Sequence, residues 1–319
     1  MAVSLDDVAA KVEAGLQLSD GDIDALETGR DIIMLGMLAD SIRRKLHGSD
    51  ATFVRVFDLK LDEKRGRTDG KRSPAPFSDD ADEKGAGLLF PLARPLFSSA
   101  GEVRIFETPP TLDEAISVVT KALEWANGTP LSAFCLFELS KLPEGLPVTL
   151  RALRQAGLEL ITQAPIDRLA SPEHALEALT DAGLHLARLT INETPGRKWT
   201  DACREVAAHQ RRLRSLRAFA PLARKIDHTQ PTTGYADVKR VAIARILIQD
   251  IPTIQVDWAL YGPKLAQVAL TFGADDIDSV SAIDDDSQGH RRSPLEEIRR
   301  SIEAASLRPV ERDARFNPI

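Results

Sequence analysis

Residues 233–280 read TGYADVKRVAIARILIQDIPTIQVDWALYGPKLAQVALTFGADDIDSV, and this stretch decides the fold. Val238, Val241, Ala242, Arg245, Ile246 and Ile248 recur at helical spacing, and Pro252 closes that helix. Ile254, Val256 and Trp258 then alternate as a strand does. Gly262-Pro263 opens a second helix that carries Leu265, Val268, Ala269 and Phe272. Gly273 ends it, where a residue without a β-carbon is most easily accommodated, and Asp275 and Asp276 lead into another strand.

The same grammar extends upstream. A strand at 132–138 leads to a helix at 146–156, 158–163 to 172–182, and 184–191 to 199–216, with further strands at 217–222 and 253–260. The joints RQAGLELIT (154–162) and TDAGLHLARLT (180–190) both end a helix with Ala-Gly-Leu and pass straight into a strand. Alternating apolar strands and helices predict an α/β protein with a parallel sheet covered by helices, a full or partial (β/α) TIM-like barrel. TFVRVFD at 52–58 and GEVRIFE at 101–107 read as strands. Thr111 with Glu114 forms a capping box that opens a helix running to Asn127.

Residues 3–46 read as helices. Ser19 with Asp22 marks a start, and Ile32, Leu35, Leu38, Ala39, Ile42 and Leu46 form one apolar stripe with Arg43, Arg44 and Lys45 toward water. The division this implies is an N-terminal helical segment at 1–50 and a barrel at 51–319. The second part includes a polar loop at 59–87 and a C-terminal helical extension.

The words IARILIQDIP (243–252), WALYGPKLAQVAL (258–270), FGADDID (272–278) and PVERDARF (309–316) resemble the C-terminal part of the menaquinone-pathway radical SAM family. Within that family the words resemble aminofutalosine synthase above all, and dehypoxanthine futalosine cyclase and the FO synthases less. LSDGDIDAL (18–26) and IIMLGMLADSIRRKLHG (32–48) resemble the same family's N-terminal helices. The resemblance implies a radical SAM barrel. It also implies a CxxxCxxC loop after the first strand, whose thiolates hold a [4Fe-4S] cluster chelated by S-adenosylmethionine. A glycine-rich GGE-like turn should follow after the next strand.

This chain departs from both motifs. The segment LKLDEKRGRTDGKRSPAPFSDDADEKGAG at 59–87 has neither cysteine nor histidine, and its composition is that of a solvated loop able to stay disordered. The only two cysteines are Cys135, inside the apolar run SAFCLFEL, and Cys203, on a stripe with Val206, Ala207 and Leu213. Cluster chemistry needs neighbouring thiolates, so both cysteines read as small buried hydrophobes. The strand at 132–138 ends FELSKLPEG, with Glu138, Leu139 and Ser140 where the resemblance expects the glycines. The expected cofactor set is therefore none: no cluster and no metal.

In a barrel of this kind ligands sit at the C-terminal ends of the strands. The polar residues there are Glu138, Gln163, Asn192, Glu193, Arg224 and Asp257, and His228 lies in the next loop. Their plain alternative is to cap helices or satisfy loop amides. Arg224 follows AFAPLA, a strand similar to the one bordering the family's substrate, and a guanidinium there suits a carboxylate or phosphate. His47, His174, His209 and His290 read as exposed, and His185 as structural. The run 209–214 reads as a solvated helix face, and Asp284-Asp285-Asp286 as a solvated loop. No metal-binding histidine pair, Walker loop, nucleophile elbow or dinucleotide fingerprint occurs.

The 319 residues, 43% of them hydrophobic, suffice for one large core, and a net charge of −7 argues against a nucleic-acid footprint. No run is apolar enough to cross a bilayer and the first residues do not resemble a signal peptide, so a cytoplasmic protein without a membrane partner is expected. The expected role is that of a degenerate, non-catalytic member, partnering a catalytic paralogue or binding a small-molecule pathway intermediate. The alternatives are the family's transferase activity, or cluster-independent acid–base chemistry in the same barrel.

Overall fold

The computed structural model describes residues 3–61, 100–193, 198–226, 232–283 and 294–319. Two capping boxes open the chain. Ser4 and Ser19 each accept the N–H three residues on, and the Asp7 and Asp22 carboxylates return to the cap N–H. They start α1 (Leu5–Glu13) and α2 (Asp20–Thr28), and α3 (Ile32–His47) follows with Asp31 as its cap.

The barrel begins with β1 (Asp50–Asp58) and β2 (Glu102–Ile105), followed by α4 (Leu112–Ala126) and β3 (Leu131–Cys135). A short turn α5 (Leu136–Leu139) precedes α6 (Leu146–Gln155), β4 (Leu160–Pro165) and α7 (Pro172–Asp181). Next come β5 (His185–Leu186), β6 (Leu189–Ile191), α8 (Lys198–Leu213) and β7 (Ala218–Ala223). The rest is α9 (Gly234–Leu247), β8 (Thr253–Asp257), α10 (Trp258–Leu270), β9 (Asp276–Ser281), α11 (Pro294–Ala304) and β10 (Arg308–Glu311).

Every pairing between these strands is parallel, and β9 pairs back onto β1, so the barrel is closed and complete. Its eight staves are β1, β2, β3, β4, the broken pair β5/β6, β7, β8 and β9. Leucine, isoleucine, valine and alanine side chains of strands, barrel helices and α1–α3 join one hydrophobic core. Among the described residues no helix is long and apolar enough to cross a membrane.

The PVERDARF block does more than the expected helical extension. After α11 it forms β10, which pairs with Asp50–Phe53 on β1, whereas β2 pairs with Val56–Asp58. The chain then crosses beneath β2 so closely that a β-carbon on Gly101 would lie 2.4 Å from the Arg312 carbonyl oxygen. This crossing delivers Arg312 to the barrel floor. Its guanidinium forks onto Asp276 at 2.6 and 2.7 Å, and Thr52 and Gln255 donate to the same carboxylate at 2.5 and 2.7 Å. The Phe316 ring covers Arg312 at 3.8 Å.

Several sequence expectations need correction. The strand at 132–138 stops at Cys135, because Phe134 takes a left-handed φ of 68° and the chain turns into α5. The strand at 184–191 is broken between β5 and β6, and the strand at 253–260 ends at Asp257, which caps α10 through Leu260 N–H at 2.8 Å. The helix expected to open at Gly262-Pro263 starts at Trp258 and kinks at Gly262, whose φ is 79°. Arg43, expected in water, is fully buried, bonded to Asp40 and the Asp50 carbonyl, and Leu46 is the exposed residue. The 59–87 loop lies, from residue 62 onward, outside the described residues.

Candidate functional site

The barrel interior is polar, and alternation along the strands explains how. Glu102 and Arg104 stand two apart on β2 and so share the inner face. Arg104 forks onto Glu102 at 2.8 and 2.7 Å and reaches Asp278 on β9 at 2.7 Å. Arg188, carried inward at the break between β5 and β6, donates to Asp278 and, at 3.1 Å, to Glu102. Ser132 on β3 donates to Glu102, and Thr162 on β4 donates to Ser132 at 3.2 Å. Burial alone would raise the Asp278 carboxyl, but Arg104 and Arg188 hold it far below the usual carboxylate range, and the same pair lowers Glu102. Four buried charges thus neutralise one another in the middle of the barrel.

Above them lies the C-terminal mouth. β9 bulges against β1, with Ser279 at a φ of 59°. The bulge lets Ser279 join Asp278 at the interior: its hydroxyl donates to Asp257 at 2.9 Å and accepts from Arg104 at 2.9 Å. Arg224, just past β7, pairs with Asp257 at 2.6 Å. Tyr261 on α10 donates to the Ala223 carbonyl at 2.7 Å, tying that helix to the end of β7. Asp58, at the end of β1, reaches solvent, yet the protein around the mouth thins its water. That pushes its carboxyl up against the pull of Arg104, with Asp278 and Glu102 adding to the push.

Of the residues expected at the site, Arg224 and Asp257 meet directly. Gln163 stands opposite Cys135 in the β3–β4 register. Asn192 and Glu193 close the β6 end through backbone N–H groups on Asp167 at 2.8 and 3.0 Å, and Lys225 pairs with Glu193 at 3.2 Å. Glu138 departs from expectation: it lies on α5, in an exposed pair with Lys141 at 2.6 Å. His228, His290 and Asp284-Asp285-Asp286 lie outside the described residues. His209, expected in water, is buried. His47 is half-buried, its Nε2 2.7 Å from the Pro252 carbonyl.

The residues the sequence did not single out are Glu102, Arg104, Arg188, Asp278 and Asp58. Asp58, at the end of the strand TFVRVFD, was the one with a local signal. Four polar atoms of this region, Gln163 Oε1, Arg188 Nε, Thr190 Oγ1 and Asn192 Nδ2, are buried without a partner among the described residues. Such atoms cost about 1–3 kcal/mol each when unsatisfied, and they suit a polar ligand.

The donor set does not fit an iron–sulfur cluster. Cys135 and Cys203 are buried in separate elements, β3 and α8, and burial pushes both thiols up. For Cys135 the Phe137 and Glu138 N–H groups and Gln163 ease that shift without cancelling it. The connection between β1 and β2 contains no cysteine. The strand that follows this connection is β2, so the expected glycine-rich turn falls at Phe106-Glu107-Thr108-Pro109-Pro110 rather than after β3. It too has no glycine. Among the described residues no group of three His, Cys, Asp or Glu side chains could hold a metal.

Residues 218–319 match the family model described as the CofH/MqnC C-terminal region. Aminodeoxyfutalosine synthase of Thermus thermophilus is 29% identical over 204 residues, 53% of this chain and 54% of that enzyme. Aminodeoxyfutalosine synthase of Streptomyces coelicolor is 34% identical over 94 residues, 28% of this chain and 24% of that enzyme. The chain therefore matches about half or less of these relatives' length. Among solved structures, methylornithine synthase (PylB) superposes with a TM-score of 0.64 at 13% identity, covering 95% of this chain and 97% of that one, a likeness of fold. The C-terminal region is thus similar to the CofH/MqnC C-terminal region and to aminodeoxyfutalosine synthase, and the closed parallel barrel shares the fold of methylornithine synthase.

Proposed function

We propose that this chain is a radical-SAM-fold protein that works without the cluster. It binds a small polar intermediate in its barrel mouth and serves, as a non-catalytic partner of a cysteine-bearing relative, the futalosine route to menaquinone in the cytoplasm. One observation carries the reading. The chain's two thiols are buried in β3 and α8, and the connection after β1, where the family places its cluster, has none. Iron–sulfur assembly needs several thiolates at one place.

The state of the mouth favours binding over turnover. Asp257 accepts from Leu260 N–H, Arg224 and Ser279, so its oxygens are committed. The partnerless Gln163, Thr190 and Asn192 atoms offer hydrogen bonds to a polar ligand. A second reading, cluster-independent acid–base chemistry, draws on Asp58 and Asp278, which face the same arginines with proton affinities pushed in opposite directions.

Affinity capture of the tagged full chain from its native host, read by mass spectrometry, tests the first reading. Recovery of a bound metabolite or of a cysteine-bearing radical SAM relative supports it. Iron-dependent consumption of S-adenosylmethionine by the purified chain alone, lost in a Cys135→Ser/Cys203→Ser variant, overturns it.

A further inference from the structure

We propose that the opposite, N-terminal end of the barrel carries a second binding site, for a small organic anion bearing two or more phosphate or carboxylate charges. A cavity of about 830 Å³ opens there between α6, α7, α8, the starts of β4, β5 and β7, and the segment after β10. Its size falls in the range of small-molecule sites. Its floor is leucine side chains, and its walls carry four guanidinium groups: Arg154 from α6, Arg214 and Arg217 from the turn between α8 and β7, and Arg315 from the C-terminal segment. Glu159 is the one carboxylate among the described lining residues, and it is taken by Arg315 at 2.7 Å.

The other three arginines have no carboxylate partner among the described residues. Arg154 donates to the Leu158 carbonyl at 3.3 Å, and Arg217 lies over the Phe316 ring at 5.3 Å, which orients it without neutralising it. The ordinary explanation for arginines here is that α6, α7 and α8 all end at this face. A helix C-terminus amounts to roughly half a negative charge, so three such ends offset only about one and a half positive charges. Four guanidinium groups against one carboxylate exceed that, in a chain whose net charge is −7. A concave, locally positive surface on an acidic protein concentrates anions. Guanidinium groups supplied to one cavity by three elements can match the oxygens of phosphate or carboxylate bidentately, and the leucine side chains take the organic part.

The site lies at the end of the barrel opposite the mouth, so it stands or falls independently of the function proposed above. The full chain is titrated calorimetrically with inorganic pyrophosphate, ADP and citrate, which separates phosphate from carboxylate recognition. Arg214 and Arg217 are exposed, and circular dichroism of their variants checks that the fold is intact. The expected result is saturable binding of at least one probe, weakened by added salt. It falls about tenfold or more in Arg217→Gln and Arg214→Gln, is partly kept in Arg217→Lys, and is unchanged in Arg224→Gln at the mouth. Absence of saturable binding for all three probes overturns the proposal. So does binding that Arg224→Gln weakens and the groove variants leave intact.

Discussion

At the scale of single residues, the interior is governed by which charges have partners. Arg104 satisfies Glu102 and Asp278 together, so Arg104→Ala leaves two buried carboxylates sharing Arg188. Removing one partner of a buried ion pair costs about 3–5 kcal/mol, and urea unfolding is expected to show a loss of that size. Asp275 behaves in the opposite sense. It pairs with Arg245, yet burial pushes its carboxyl up to about 6, against Arg245 and His47 and with Asp276 adding to the push. The folded state therefore holds this proton more tightly than the unfolded chain, whose aspartates titrate near 4. Its contribution is complete below about pH 4 and is lost as pH rises through about 6, for a total of up to about 3 kcal/mol. Unfolding of the wild type and Asp275→Asn from pH 4 to 7 checks the sign: the wild type's stability relative to the variant falls as pH rises.

At the scale of elements, the packing of α3, α9 and α10 meets at Gly273. Its φ is 95°, and a β-carbon there would lie 2.9 Å from Ala39 Cβ and 3.0 Å from Arg245 Cβ. Gly273→Ala is expected to cost at least the 1–3 kcal/mol or so of a strained left-handed residue, read as a lowered thermal midpoint. That glycine was legible in the sequence because it follows a regular apolar stripe. The alternating helices and strands were legible for the same reason, since their periods are local. What stayed hidden was set by partners far along the chain. Arg188 breaks a stave because its guanidinium reaches Asp278 and Glu102, 90 and 86 positions away. Ser279 adopts a left-handed bulge for bonds to Arg104 and Asp257. The left-handed Phe134 ends β3 at Cys135, three residues short of the expected strand end at 138, which is why Glu138 reads as a rim residue but faces water. Of the site, the Arg224–Asp257 pair was visible as strand-end chemistry, whereas the central ion cluster lay on strands that read as ordinary.

At the scale of the whole molecule, one core and two polar ends define the protein. The C-terminal segment is part of the barrel: Arg312 closes the floor through Asp276, where Thr52 of β1 and Gln255 of β8 also converge. Arg312→Met is expected to destabilise the whole barrel in one transition, with tryptophan fluorescence and far-ultraviolet dichroism changing together. Separate transitions would mean that the segment melts by itself. The barrel is closed and its two cysteines are buried apart, in β3 and α8; the central claim proposed above, a barrel of this fold that works without an iron–sulfur cluster, rests on that separation.

The most direct test of that claim is anaerobic reconstitution of the purified full chain with iron and sulfide, followed by iron analysis and electron paramagnetic resonance. We expect no stoichiometric iron and no cluster signal. Recovery of about four irons per chain, the content of one [4Fe-4S] cluster, with a signal altered by S-adenosylmethionine, would contradict the account.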